Sequence, residues 1–157
     1  MLLAALGSAV LVVAACGDDG DSVSAGKPLT KAQYISQADR ICREVEASTK
    51  TYSDQVDKLP AGAGPERIGS ILDGGLAQTR KGVERLKALR APSEDKATVE
   101  AYFASIDKAI VAYEGLVQAV RAKDEAKARR YAEQADPLFD EQRRLSTRYG
   151  FKQCRSL

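Results

Sequence analysis

"TKAQYISQADRICREVEASTKTYSDQVDKLPAGAGP", Thr30 to Pro65, carries the fold in its spacing. Ile35, Ala38, Cys42, Val45, Thr49, Tyr52, Val56 and Leu59 recur in alternating steps of three and four. Only a helix gathers such positions into one stripe. Its start is marked by Thr30 and Gln33, a capping box in which the hydroxyl takes one free helical N–H while the amide reaches back. Its end is marked by Pro60 and the glycines that follow, which cannot continue a helix without loss.

The same period returns three times. Pro65 suits a first helical turn, and Ile68, Leu72, Leu76, Thr79, Val83 and Leu86 form the second stripe, up to Pro92. Ser93 reads as the next N-cap, with Glu94 and Asp95 at the positive end of the helix. The third stripe is Val99, Tyr102, Ile106, Ala109, Tyr113, Leu116 and Val120. Phe103, Ile110 and Val117 widen it, so this helix should be the most buried. Asp124 caps the fourth, whose stripe is Ala128, Tyr131, Ala135, Leu138, Gln142, Leu145 and Tyr149. Gly150 fits a left-handed C-terminal cap, with Phe151 folding back on Leu145. Pro137 removes one hydrogen bond inside the fourth helix and predicts a bend. Four long helices with short connections predict an all-α fold over 30–157, an antiparallel up-down-up-down four-helix bundle. Asp54 with Lys58, Glu125 with Arg129, and Asp140 with Arg144 lie four apart and read as outward ion pairs. The basic stretch "QRRLSTRYGFKQCR" reads as complementing the last helix's dipole.

Composition narrows the function. A chain of 157 residues builds one domain with a proper core. With 24 basic and 22 acidic residues, no large field recruits nucleic acid. Histidine is absent, which removes the imidazole general base, the usual haem ligand and the ordinary zinc site. No P-loop or nucleophile elbow is present, and a carboxylate di-iron site would want Glu-x-x-His. The sequence therefore predicts no cofactor, no metal and no enzymatic activity.

Ahead of the helices, "MLLAALGSAVLVVAA" carries no charge. A membrane span needs ~20 apolar residues; this run has the length of a signal-peptide apolar region, so residues 1–15 read as a leader. Val13-Ala14-Ala15-Cys16 resembles the lipobox of bacterial lipoproteins. That resemblance implies a diacylglycerol on Cys16, which becomes the first residue after cleavage. Ordinary secretory cleavage, or a buried N-terminal helix, is the other reading of the same residues. Signal peptides ordinarily open with Lys or Arg; this run has neither, a departure from the pattern that an upstream start would account for. Residues 16–29 are rich in Gly, Ser and Asp without apolar period and predict a flexible stalk reaching ~20 Å. The expected location is extracytoplasmic, held to the outer face of the membrane by lipid.

With Cys16 assigned to lipid, Cys42 and Cys154 are left as a pair. Cys42 should lie ~10 Å below the bundle end at 1.5 Å per residue. The segment from Gly150 to Cys154 extends ~16 Å. The tail can reach, so a structural disulfide is expected; a reactive thiol pair is the alternative. "YISQADRICREV" and "RYGFKQC" together resemble a group of small predicted lipoproteins of high-GC actinobacteria. The shared patterns are A-D-x-I-C at Ala38, Asp39, Ile41 and Cys42, and Y-G-x-x-x-C at Tyr149, Gly150 and Cys154. The resemblance implies the same disulfide and compartment, and no activity.

One layer stands out for binding. Counted from the Pro60 loop, Tyr52, Tyr113 and Tyr131 fall at one height, where the second helix carries Gly74 and Gly75. The glycines either make room for packed rings or border a pocket in which phenols meet a small ligand. Gln142, also on a core stripe, calls for a partner in the returning tail or a tyrosine hydroxyl. The expected function is a non-enzymatic interaction module of the cell envelope with a protein partner; the alternative is a small-ligand carrier or sensor using that layer.

Overall fold

A computed structural model describes residues 28–155 and 157. The predicted leader, Cys16 and the stalk as far as residue 27 lie outside them. The described residues form four long helices and no strand: α1 (Lys31–Asp57), α2 (Pro65–Ala88), α3 (Lys96–Arg121) and α4 (Glu125–Tyr149). None of these helices is long and apolar enough to cross a membrane.

The helix ends follow their local chemistry. The Thr30 N–H donates to Gln33 Oε1 at 3.0 Å, and the Gln33 N–H donates to Thr30 Oγ1 at 3.3 Å. Pro65 opens α2 behind Gly64. The Lys127 N–H donates to the Asp124 carboxylate at 3.0 Å. Gly150 is left-handed at φ 108°, and the Phe151 N–H closes the last turn on the Ser146 carbonyl at 3.1 Å. Pro137 lies inside α4 without ending it.

Two boundaries differ from expectation. Ser93 does not cap α3; Ser93–Asp95 forms a single 3-10 turn and the helix begins at Lys96. Asp95 is engaged elsewhere, accepting the Tyr149 hydroxyl at 2.9 Å and lying 3.6 Å from Lys31 Nζ. The last residues of the expected stalk, 28–29, belong to the domain. The Leu29 N–H donates to the Arg90 carbonyl at 3.0 Å, and its side chain packs on the core that holds Tyr34. Those are the two positions of a hydrophobic staple around an N-cap.

The core is dense at one end of the molecule. Tyr34, Ala38, Ile41, Cys42 and Val45 of α1 join Val83 and Leu86, Val99, Tyr102 and Ile106, Tyr149, Phe151 and Cys154. Tyr34, one position off the predicted stripe, is buried, while Ile35 is half-exposed. Phe151 does not simply cover Leu145. Its ring lies 4.8 Å from Tyr149, 5.2 Å from Tyr102 and 6.1 Å from Tyr34 by centroids. Such tilted aromatic clusters add to the burial they already bring.

Consecutive helices pack: α1 on α2, α2 on α3, and α3 on α4; α1 and α4 make no comparable contact. Val45 sits over Gly82 and Tyr52 over Gly74. Lys87 meets Asp107, Arg80 meets Glu114, and Arg121 lies over Gly69 to reach Asp73 at 2.5 Å. Tyr131 covers Gly115. Two surface pairs choose partners other than those predicted. Asp54 pairs with Lys50 at 2.6 Å, and Asp140 with Arg143, leaving Arg144 to Glu141 at 2.7 Å.

Candidate functional site

The separation of α1 from α4 leaves a channel between them, and the segment after α4 fills only its lower half. There the tail is fixed four times. The Lys152 N–H reaches Asp39 Oδ1 at 3.0 Å and the Gln153 N–H reaches the same oxygen at 2.9 Å. Cys154 and Cys42 bring their sulfurs to 2.01 Å, at disulfide distance. The Tyr102 hydroxyl donates to the Cys154 carbonyl at 2.9 Å. Asp39 is nearly buried, and a carboxylate there is held by the two amides it accepts.

Above the tail the channel stays open as a groove of about 540 Å³. Its walls are Val45, Thr49, Tyr52 and Val56 of α1, Leu72, Gly75, Leu76 and Thr79 of α2, and Ala109, Ile110 and Tyr113 of α3. Phe139 of α4 and Leu157 of the tail complete it, with Glu46, Lys50, Ser53 and Asp57 along the α1 rim. This explains why the α1 stripe is buried from Ala38 to Val45 but only half-covered at Thr49, Tyr52 and Val56. The volume lies in the range of small-ligand sites, roughly 300–1,000 Å³.

The wall hydroxyls are turned to the protein itself. Thr49 Oγ1 donates to the Val45 carbonyl at 2.9 Å and Thr79 Oγ1 to the Gly75 carbonyl at 3.3 Å. These back-bonds satisfy the polar atoms locally and leave a largely apolar lining. Burial pushes the Tyr113 phenol up, and the Asp73 charge adds to the push. It is neutral at physiological pH.

The predicted layer is thus divided. Tyr52, Tyr113 and Gly75 line the groove. Gly74 lies beneath the Tyr52 ring, where a Cβ would run into Cε1; Gly75 has ordinary contact, its Cβ position 3.5 Å from that of Tyr52. Tyr131 is not on the groove: its ring rests on Gly115 of α3, because α4 leans on α3 and away from α1. Phe139, two turns further along α4, takes the place expected of Tyr131. Phe139 follows a stripe residue by one step, and Leu157 lies beyond all periodic sequence, so neither carried a signal.

Gln142 departs from expectation as well. It is fully buried, with Ser146 one turn along, and neither amide atom nor the Ser146 hydroxyl makes a hydrogen bond of ordinary geometry. The tail amides go to Asp39 and the Tyr102 proton goes to Cys154, so the expected partners are taken. Burial pushes the Tyr102 phenol far up, and the neighbouring Gln142 amide opposes this only in part. Among the described residues no group of His, Cys, Asp and Glu gathers where a metal ion could be held.

No protein-family model, curated protein or solved structure matches this chain.

Proposed function

We propose that this chain is a lipid-anchored, extracytoplasmic protein of the bacterial cell envelope that acts by binding a small molecule and not by catalysis. The groove beside Tyr52, Gly75 and Tyr113 carries the reading: it is large enough for an organic ligand and its lining is apolar. It also reverses the order of the two functions read from sequence. Val111 is the only large apolar side chain left exposed among the described residues, which leaves an outer face little apolar surface to offer a protein. The paired cysteines support an oxidising compartment, since cytosolic proteins rarely keep disulfides. Val13-Ala14-Ala15-Cys16 supports the anchor, and the likeness to actinobacterial lipoproteins supports both. The contact pairs support an up-down-up-down order: Val45 over Gly82 and Tyr52 over Gly74, Arg80 with Glu114 and Lys87 with Asp107, Gly115 under Tyr131 and Tyr102 beside Gln142 each run in opposite number order. Residues 17–27 serve as the tether.

The test is purification of the full chain from bacterial membranes, followed by mass spectrometry of protein and extract. The expected result is an acylated Cys16, a Cys42–Cys154 bridge, and a co-purifying small molecule that the Gly75→Leu variant loses while keeping its thermal midpoint. An unmodified Cys16 with free thiols at 42 and 154 overturns the anchor and compartment. An empty wild-type protein that also binds no added apolar probe overturns the carrier.

A further inference from the structure

The groove has a sign. Of the residues lining it, Glu46 and Asp57 carry carboxylates with no ion-pair partner among the described residues, while the one lining cation, Lys50, has its ammonium 2.6 Å from Asp54. Lys50 is therefore neutralised by a carboxylate of its own helix, and the charge of Asp57 reaches it besides. Asp73 does not line the groove and is paired with Arg121 at 2.5 Å, so only its charge reaches Tyr113. Two tyrosine rings, Tyr52 and Tyr113, stand among the apolar walls.

We propose that the groove takes an apolar organic cation: a ligand whose hydrocarbon or aromatic body fills the space between α1, α2 and α3, and whose positive group lies at the α1 rim by Glu46 or by Asp57, which stand about 16 Å apart along the helix. The inference rests on the groove being the binding element and adds the charge of its occupant. Three physical terms agree. Apolar walls reward burial of the body. Tyrosine faces attract a cation within ~6 Å of the ring. Unpaired carboxylates on the rim favour a positive ligand and disfavour a negative one, by an amount that falls with added salt. An anion of the same shape meets the same walls and the opposite field.

Two ions of nearly equal shape make the test: tetraphenylphosphonium and tetraphenylborate, with triphenylphosphine oxide as the uncharged companion. Binding of each to the folded protein is measured by calorimetry at low and at physiological ionic strength. The expected result is phosphonium binding about tenfold or more tighter than borate, a preference that narrows with salt. In the variant Glu46→Gln/Asp57→Asn the phosphonium should weaken about five- to tenfold while the uncharged compound holds its affinity. Gly75→Leu should abolish binding of all three. Equal affinity for the three compounds, or tighter borate, overturns the inference and leaves the groove standing as a plain apolar site. Failure of all three to bind, with circular dichroism showing the fold intact, overturns the groove reading and the inference with it.

Discussion

Gly82 and Gly75 of α2 are two turns apart on one face, yet they answer to different neighbours. A Cβ at Gly82 would run into Val45 Cγ2 in the dense part of the core, whereas one at Gly75 meets Tyr52 only at 3.5 Å. Alanine in place of glycine gains about 1 kcal/mol in a helix interior, and overpacking loses about 1–3 kcal/mol. Gly82→Ala should therefore destabilise by about 1–2 kcal/mol, and Gly75→Ala should stabilise by about 0.5–1 kcal/mol, as read from urea midpoints. Gln142 belongs to the same scale. Two buried amide atoms that make no hydrogen bond of ordinary geometry among the described residues burden the folded state, so Gln142→Met, similar in shape and free of them, should raise stability by about 1–2 kcal/mol. An unchanged or lower urea midpoint would mean that the amide is satisfied in solution. Single residues of this kind were the least legible part of the sequence. Gly74 and Gly75 could be seen as exceptional, but which glycine lies under a ring depends on the register of α1 against α2, and no local pattern sets that register.

The joint between the end of α4, the start of α1 and the tail is the best-defined set of elements. Tyr149 closes α4, donates to Asp95 before α3, and lies under Lys31, whose ammonium is 4.4 Å from the ring centroid. Burial pushes the Tyr34 phenol up to about 12 and raises Tyr102 and Tyr149 further, with the Asp95 hydrogen bond and charge adding at Tyr149. An unfolded phenol ionises near pH ~10. Above that value the unfolded chain releases protons that the folded chain keeps, so stability falls with rising pH. It should be flat in this respect from neutrality to about pH 9.5 and decline steeply by about pH 11. Urea midpoints across that range check the prediction, and tyrosinate absorbance should show the unfolded chain titrating first. Much of this joint was visible beforehand. The Thr30–Gln33 box and the Gly150 turn each depend on residues within three or four positions, and each formed, as did the Asp124 cap at the far end of α4. Tyr34 and the start of α3 were misplaced because distant groups decide them: Phe151 and Tyr149 draw the first ring inward, and Tyr149 takes the Asp95 carboxylate away from capping.

For the whole molecule the Cys42–Cys154 pair matters most, since it ties α1 to the segment after α4 across a separation of 112 residues. A loop of that length is worth about 4–5 kcal/mol in the chain-entropy model. Replacing both cysteines by alanine should lower unfolding free energy by about 3–5 kcal/mol. The tail also brings Leu157 to the groove. The double variant should therefore lose probe binding at temperatures where circular dichroism still reports full helix content; retained binding would show that the tail does not shape the site. The pairing was legible because only reach had to be judged. The groove was legible only in part: Tyr52, Tyr113 and Gly75 were read at one height, but its opening beside α4 arises from α4 leaning on α3 away from α1, a matter of helix splay that periodicity leaves free.

The Asp39 clamp has a consequence for how such a chain is made. The carboxylate finds its two amide donors 113 and 114 residues further along. A ribosome delivering α1 thus sets out an apolar face with a charge in it, and the matching amides follow only after three more helices have been synthesised. Until then that end of the protein cannot shut, so its closing is a late, long-range event of the slow kind. A polypeptide built this way stays unlocked until its last residues are made, and seals only then.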